Sequence, residues 1–180
     1  MEKIVYREGI STTIDTVRAR LTPRTWERLK TEAGIDEKVS KPSYPIATFD
    51  NVTRVLADEL FPGRSIEDAS FQLGLLALKT YGDTVMGGAL FAVIRLLGPL
   101  RIVKRLPSTF RQFNNYADVK VEITSERSWE LDHNEVGLYP HLIRGNMQSA
   151  GELFGWKGLK VELTSYDGHR ARYRVSWESP

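Results

Sequence analysis

The chain of 180 residues contains no cysteine. This absence excludes disulfides, thiolate ligands for a metal and thioether-linked haem. Histidine is scarce as well, because only His133, His141 and His169 are available for acid–base chemistry or metal binding. Positive charge is not in large excess either. The formal net charge of +2 is too small to indicate nucleic-acid binding by itself, so we expect no nucleic-acid partner.

Long apolar runs and catalytic signatures are also absent. The most apolar segment, residues 85–97, is shorter than the roughly 20 residues that a membrane-spanning helix needs. The N-terminal sequence MEKIVYREG has no apolar core of the kind that signal peptides carry. We therefore expect a cytoplasmic protein without a membrane span. No Gly-x-Ser-x-Gly or His-Glu-x-x-His motif occurs, and we expect the protein not to be an enzyme.

The stretch from Asp83 to Tyr116 organises the rest of the chain. Val85 to Leu97 is apolar or small at nearly every position, which predicts a central helix that is buried on all sides. Gly87 and Gly88 are expected to face a close neighbour in the helical core, since a missing Cβ lets another element approach. Gly98-Pro99 is expected to end this helix.

Local signals predict further helices before this stretch. Thr22-Pro23 has the residue types of an N-cap and a first helical position, and Gly34 is expected to end that helix. Apolar residues recur at helical spacing from Phe49 to Leu60, and another helix is predicted from Ser65 to near Gly82. Lys41 to Pro45, bounded by prolines, is predicted to be a loop.

The hydrophobic period changes in the last third of the chain. Apolar and charged residues alternate over 119–123, as in a half-buried strand. A second strand follows, Pro140 marks the start of a helix, and Asp167-Gly168 predicts a hairpin between two later strands. We therefore predict a single α+β domain that spans the chain. It is mainly helical over 1–115 and forms an antiparallel sheet plus one helix over 116–180.

A basic segment follows the predicted central helix and supplies the candidate ligand-binding residues. These are Arg101, Arg105, Arg111, Asn115 and Tyr116. Arginine suits two-point capture of a carboxylate or phosphate, so the segment predicts an anion site at the mouth of an apolar pocket. The alternative is that these arginines cover helix ends and pair with nearby acids. Arg101 and Arg105 are expected to share one helix face.

Arg111 lies between Phe110 and Phe113, where the chain turns from helix to strand. We expect its side chain to be at least partly buried and hydrogen-bonded, because a buried unpaired charge is very costly. It either braces the turn or faces an anionic ligand, and the bracing role is favoured.

Asp132, His133, Glu135 and His141 offer metal-ligand side chains close together in the sequence. Nothing in their spacing fixes a coordination geometry. A polar strand end followed by a loop accounts for them equally well, and we expect no metal site.

Five sequence blocks resemble a known family. They are Leu21–Asp36, Phe61–Gly74, Thr84–Leu106, Phe110–Tyr116 and Tyr166–Trp177. Together they are similar to a paralogous family of roughly 180-residue proteins expanded in myxobacteria and classed as a domain of unknown function. That family usually has Thr-Gly where this chain has Gln112-Phe113.

The resemblance extends distantly to haem nitric-oxide-binding domains, 4-vinyl reductase domains and TRAPP vesicle-tethering subunits. It implies an N-terminal helical bundle packed on a C-terminal antiparallel sheet of two hairpins with an intervening helix. The haem-binding relatives place a histidine on a core helix and clamp the propionates with a Tyr-x-Ser-x-Arg motif. Residues 49–106 contain no histidine and the motif is absent, so we expect no cofactor.

Two functions remain open at this point. One is a regulatory domain that binds a small apolar or anionic ligand in a pocket between the central helix and the sheet. The other is a non-enzymatic protein-interaction scaffold, homodimeric or TRAPP-like, with an exposed apolar helix face. The partner is accordingly a small molecule in the first case and a second copy or another protein in the second.

Overall fold

A computed structural model describes residues 2–83, 88, 92, 96 and 98–178. Most of the predicted central helix, including Gly87 and Leu97, lies outside the described part of the chain. Within the described ranges, no helix combines the length and apolar character needed to cross a bilayer.

The described ranges contain seven α-helices, a short 3-10 helix at Arg18–Arg20 and six strands. The helices are α1 (Arg7–Asp15), α2 (Pro23–Ala33), α3 (Ile46–Leu60), α4 (Ile66–Gly82), α5 (Pro99–Val103), α6 (Leu106–Arg111) and α7 (Pro140–Leu153). The strands are β1 (Ile4–Tyr6), β2 (Ser43–Pro45), β3 (Val119–Ser125), β4 (Ser128–His133), β5 (Lys160–Tyr166) and β6 (Ala171–Ser176).

The local signals around α2 act as predicted. The Thr22 hydroxyl accepts a hydrogen bond from the backbone N–H of Thr25 at 3.2 Å, which satisfies one of the free N–H groups of the first turn. Gly34 ends the helix with a φ of 68°, a left-handed conformation that glycine adopts without strain. Ile35 then folds back, and its N–H bonds the carbonyl of Leu29 at 3.0 Å.

The predicted loop from Lys41 to Pro45 is wrong in part, because it contains strand β2. This strand pairs antiparallel with β1, with Val5 opposite Tyr44. The pairing joins segments almost 40 residues apart in sequence, so neither strand has a hairpin turn signal beside it. Asn114 extends the pairing through an isolated bridge to Val5.

The larger sheet is antiparallel with strand order β3-β4-β6-β5. It consists of the hairpins β3–β4 and β5–β6, with α7 between them in sequence, which confirms the predicted fold class. Side chains alternate along β4 between a buried inner face and a charged outer face. On the outer face the Arg174 guanidinium bonds the Glu130 carboxylate at 3.0 Å, and Arg172 bonds Asp132 at 3.2 Å.

Two apolar clusters fill the interior. The helical core consists of Val5, Ile10, Ile14, Val17, Leu29, Ala33, Ile35, Tyr44, Val52, Val55, Leu56, Leu73, Tyr139 and Leu142. The sheet core consists of Val103, Ala117, Val119, Trp129, Leu131, Val136, Trp156, Val161, Ala171, Tyr173, Val175 and Trp177.

Helices α4 and α7 cross at two glycines. A Cβ added to Gly74 would lie 2.3 Å from the carbonyl oxygen of Leu142, and one added to Gly145 would lie 2.2 Å from that of Phe71. Close helix packing therefore occurs here. The expectation of a close neighbour at Gly88 is wrong, because Gly88 is exposed. Among the described residues, the nearest atom to a Cβ added at Gly88 is the carbonyl oxygen of Gly82 at 3.5 Å, which is an ordinary van der Waals distance.

Candidate functional site

The arginines of the predicted anion site do not form the expected helix face. Helix α5 ends at Val103, so Arg101 is helical whereas Arg105 lies in the turn before α6. Both side chains are exposed. The proline-containing start of α6 interrupts the continuous helix that the four-residue spacing indicated.

Arg111 has the predicted kind of partner but not the predicted burial. Its guanidinium pairs with the Asp118 carboxylate at 3.1 Å, across the turn between α6 and β3. The arginine side chain is 65% exposed, so the expectation of partial burial is wrong. An ion pair this exposed contributes little to stability, because solvent screens the charges.

Asn115 and Tyr116 have other local roles. The Asn115 side chain accepts from the backbone N–H of Ile4 at 2.9 Å and donates to the carbonyl of Glu2 at 3.0 Å, so it holds the N-terminal strand. Tyr116 is half-buried, and burial followed by the nearby Asp50 carboxylate raises the pKa of its phenol. Ligand binding by these residues and the three arginines stays a prediction.

The inner face of β4 carries two polar groups on an otherwise apolar surface. Trp129, Leu131 and His133 alternate along the strand and are all buried. They lie opposite Val175, Tyr173 and Ala171 of β6, which are buried as well. An indole N–H and an imidazole ring therefore lie on the face of the sheet that the helices cover.

His133 is a buried, uncharged imidazole. It is 3% exposed, and the ring of Phe110 from α6 stands nearly perpendicular to it with centroids 4.9 Å apart. Burial lowers the pKa of His133 to about 4, so the ring is neutral at pH 7. Its Nδ1 accepts a hydrogen bond from the backbone N–H of Glu135 at 3.1 Å. The proton of the neutral ring is consequently on Nε2.

The side chain of Trp129 places a hydrogen-bond donor in the interior. The residue is 2% exposed, and among the described residues its Nε1–H has no hydrogen-bond partner. Leaving such a donor unsatisfied costs on the order of 1–3 kcal/mol. In the part of the chain that the structure describes, Thr53 Oγ1 in α3 and Asn146 Oδ1 in α7 are also buried without a partner, but both are on helices and not on the sheet.

A second polar group of residues surrounds the loop between β4 and α7. Glu135 is buried and pairs with Lys3 and with the Nδ1 of His169, the latter at 3.2 Å. Burial opposes ionisation of Glu135, but the bonds from Lys3 and His169 outweigh it and lower its pKa. Asp50 accepts from the N–H of Leu138 at 3.1 Å, and burial raises its pKa. These bonds join the N-terminal strand, α3 and the β5–β6 hairpin.

The four possible metal ligands are separated by the fold. Asp132 lies on the outer face of the sheet with its arginine partners, and His133 lies on the inner face. Glu135 is engaged by Lys3, and His141 lies 3.4 Å from Arg144 on α7. In the described ranges, no group of three or more histidine, aspartate or glutamate side chains is placed to hold a metal ion.

A family model with the description "Protein of unknown function (DUF2378)" matches residues 4–178. The chain belongs to this family. The match confirms the resemblance that the five sequence blocks indicated. No match was found among curated proteins.

Solved structures of H-NOX domains share the fold. An oxygen-binding H-NOX domain related to soluble guanylate cyclases, solved as the oxygen complex, is 12% identical, with a TM-score of 0.67 over 97% of this chain and 96% of its own. A structure from a study of haem distortion in the H-NOX family is 13% identical, with the same TM-score and coverage. A variant of the T. tengcongensis H-NOX domain is 12% identical, with a TM-score of 0.64 over 97% and 98%.

These neighbours contradict the expectation of no cofactor, because they are described as haem- and oxygen-binding domains. The expectation rested in part on the absence of histidine from residues 49–106, but a histidine outside these helices can also be buried in an apolar interior. His133, at the end of β4, is buried as deeply as the aliphatic residues beside it.

His133 meets the requirements of a haem ligand only in part. It fits in burial and in neutral charge. Its tautomer does not fit, because iron would need the lone pair of Nε2, the atom that carries the proton while Nδ1 accepts from Glu135. Iron ligation by His133 would therefore require this backbone hydrogen bond to be given up.

Proposed function

We propose that this domain senses a small molecule, and that the molecule binds between the inner face of the four-stranded sheet and the helices that cover it. The observation that carries the proposal is the unsatisfied indole N–H of Trp129 at 2% exposure. Buried donors without acceptors are rare in folded proteins, and a ligand that accepts this bond accounts for one.

The shared fold supports a binding role. The H-NOX structures that match over nearly the whole chain include one solved as an oxygen complex, so a domain of this architecture can hold a small ligand. We propose binding rather than catalysis for this chain. The two polar side chains on the inner face of β4 are a neutral imidazole and an indole, and among the described residues neither makes a hydrogen bond to a nucleophile or a carboxylate that it would activate.

The test is to purify the protein from cells supplied with a haem precursor and to record its native mass spectrum and visible absorption. Melting temperatures are then measured with added haem and with a panel of small apolar compounds. We expect a retained molecule, or a rise in melting temperature with one chemical class. If no molecule is retained and no compound raises the melting temperature, the proposal is wrong.

The second candidate is an interaction scaffold, and exposed apolar residues favour it. Gly88, Ala92 and Leu96 are exposed at four-residue spacing, and Leu96 is 88% exposed. Light scattering across a range of concentrations measures the mass in solution. A dimer that Leu96→Lys converts to a monomer would support the scaffold, whereas a monomer at all concentrations would contradict self-association.

A further inference from the structure

We propose that the ligand is held by two N–H donors on one face of β4, the Nε1–H of Trp129 and the Nε2–H of His133. The ligand class is then an apolar molecule that carries hydrogen-bond-acceptor oxygens. This inference rests on the proposed function and specifies its site.

The two donors have a defined placement. Residues 129 and 133 are four apart on one strand, so their side chains are on the same face with Cα atoms about 13 Å apart. Leu131 lies between them and is fully buried. A molecule that spans both positions therefore lies along the strand, with apolar contact in the middle and a polar contact at each end.

The indole and the imidazole are both hydrogen-bond donors, so the ligand atom that meets each of them must be an acceptor. An indole offers a donor and no acceptor. His133 offers a donor as well, because its Nδ1 is occupied by the Glu135 N–H and the remaining proton is on Nε2. The described residues provide no hydrogen-bond partner for the Trp129 Nε1. A carbonyl, ether or carboxyl oxygen supplies what is missing, whereas a hydrocarbon does not.

Helix α6 is the element that a ligand displaces most easily. It has only six residues and none of them is buried, while Leu106 and Phe110 pack partly against the sheet core. Phe110 lies directly on His133. Short elements with few buried contacts open at low free energy, so access to the His133 end of the strand is through this helix.

The experiment follows the indole N–H signals of the ¹⁵N-labelled full chain during titration with 1-indanone and with indane. The two probes share a ring system and differ in the carbonyl oxygen. Trp129→Phe identifies the Trp129 signal. We expect 1-indanone to move that signal downfield and to bind about tenfold more tightly than indane, the effect of one satisfied buried hydrogen bond.

Two variants and a control complete the test. Trp129→Phe should weaken 1-indanone binding about tenfold and leave indane binding unchanged. One carbonyl oxygen cannot reach two donors whose Cα atoms are about 13 Å apart, so His133→Phe is tested with 4,4′-diacetylbiphenyl, which carries an acetyl oxygen at each end. This variant should weaken 4,4′-diacetylbiphenyl binding about tenfold and leave biphenyl binding unchanged. Trp177→Phe removes the same atoms from an equally buried tryptophan stacked on Trp156, and it should leave the affinities for 1-indanone and indane unchanged. In the free protein, Trp129→Phe should lower the melting temperature less than Trp177→Phe does, because it also removes an unsatisfied donor.

Three results would overturn the inference. The first is equal binding of the two probes, or no shift of the Trp129 signal with either. The second is an unchanged affinity of Trp129→Phe for 1-indanone, or an unchanged affinity of His133→Phe for 4,4′-diacetylbiphenyl. The third is a haem spectrum that changes on His133→Phe, since His133 would then bind metal through Nε2. If molecules bind but the donors do not matter, the inference fails and the proposed function stands; if nothing binds at all, both fail.

Discussion

The helical core and the sheet core are similar in extent but differ in what they bury. The helical core is mainly aliphatic, with side chains such as Leu29, Leu56 and Leu73 that have no exposed surface, and its one unsatisfied polar atom among the described residues of α3 is the small hydroxyl of Thr53. The inner face of the sheet includes a neutral histidine and an indole N–H that finds no acceptor in the described ranges. A buried polar group without a partner lowers stability, so it persists where it has another use.

The helices that cover the two cores differ in length. Helices α2, α3 and α4 are 11 to 17 residues long and meet over the helical core. The sheet is covered by the 14-residue α7, through Ile143 and Met147, and by α6, which has six residues and none buried. We expect α6 to open at the lowest free energy of these covering helices, because it is short and has few buried contacts.

The strongest test of this difference compares two fully buried leucines. Leu56→Ala in the helical core should reduce the free energy of unfolding by about 2–5 kcal/mol, because long helices cannot close the cavity. Leu131→Ala in the sheet core should fall near the lower end of that range, since α6 can settle onto the sheet. Urea denaturation of both variants measures the two values. An equal loss of unfolding free energy in the two variants would contradict the expected difference between the helical core and the sheet core.

The pH dependence of stability tests the buried histidine. The pKa of His133 falls from an ordinary 6.5 to about 4 on folding, so between these values the unfolded chain binds a proton that the folded chain does not. Stability is therefore complete above pH 6.5 and decreases as the pH falls towards 4, by on the order of 3 kcal/mol.

His133→Phe is the matched variant for the pH experiment. Asp50 and the other carboxylates titrate in both proteins, so the difference between the two pH profiles belongs to His133. Chemical denaturation at several pH values should give a shallower profile for the variant over this window. Parallel profiles would contradict the burial of a neutral ring.

The glycine crossing tests how tightly the helices are joined. Gly145→Ala would ordinarily favour a helix, but here the added Cβ meets the carbonyl of Phe71 at 2.2 Å. We expect a loss of about 1–3 kcal/mol from overpacking. Gly88→Ala is the control, because Gly88 is exposed and helical, and it should be neutral or stabilising. A stable Gly145→Ala variant would mean that α4 and α7 can move apart freely.

The smallest expected effect is at Arg111, whose ion pair lies at the surface. Arg111→Ala should lower stability by less than about 1 kcal/mol, because the pair with Asp118 is solvent-exposed. Thermal melting at low and high salt checks this, and any loss should be confined to low salt. A loss of several kcal/mol would show that Arg111 braces the turn more strongly than its exposure indicates.

Part of the candidate site was available in the sequence. The apolar alternation that predicts β4 includes Trp129 and Leu131, and continuing the same spacing by two residues reaches His133. This signal would have placed the histidine on the buried face. The basic segment has the stronger charge signal in the sequence, but the structure leaves Arg101, Arg105 and Arg111 exposed.

The sequence by itself determined the kinds of element and many of their ends. The cap at Thr22, the left-handed stop at Gly34, the start of α7 at Pro140 and the hairpin at Asp167-Gly168 all depend on residues within a few positions of one another. Such signals are local, so they can be recognised without knowing how the chain folds.

Only the tertiary structure decided which elements meet. The pairing of Lys3 with Glu135 joins residues 132 apart, and the contact of Gly74 with Gly145 joins two helices far apart in the chain. The burial of His133 depends on Phe110 from another element, and the unsatisfied donor of Trp129 depends on what surrounds it. Burial and hydrogen-bond satisfaction are properties of neighbours in space, and no local pattern specifies those neighbours.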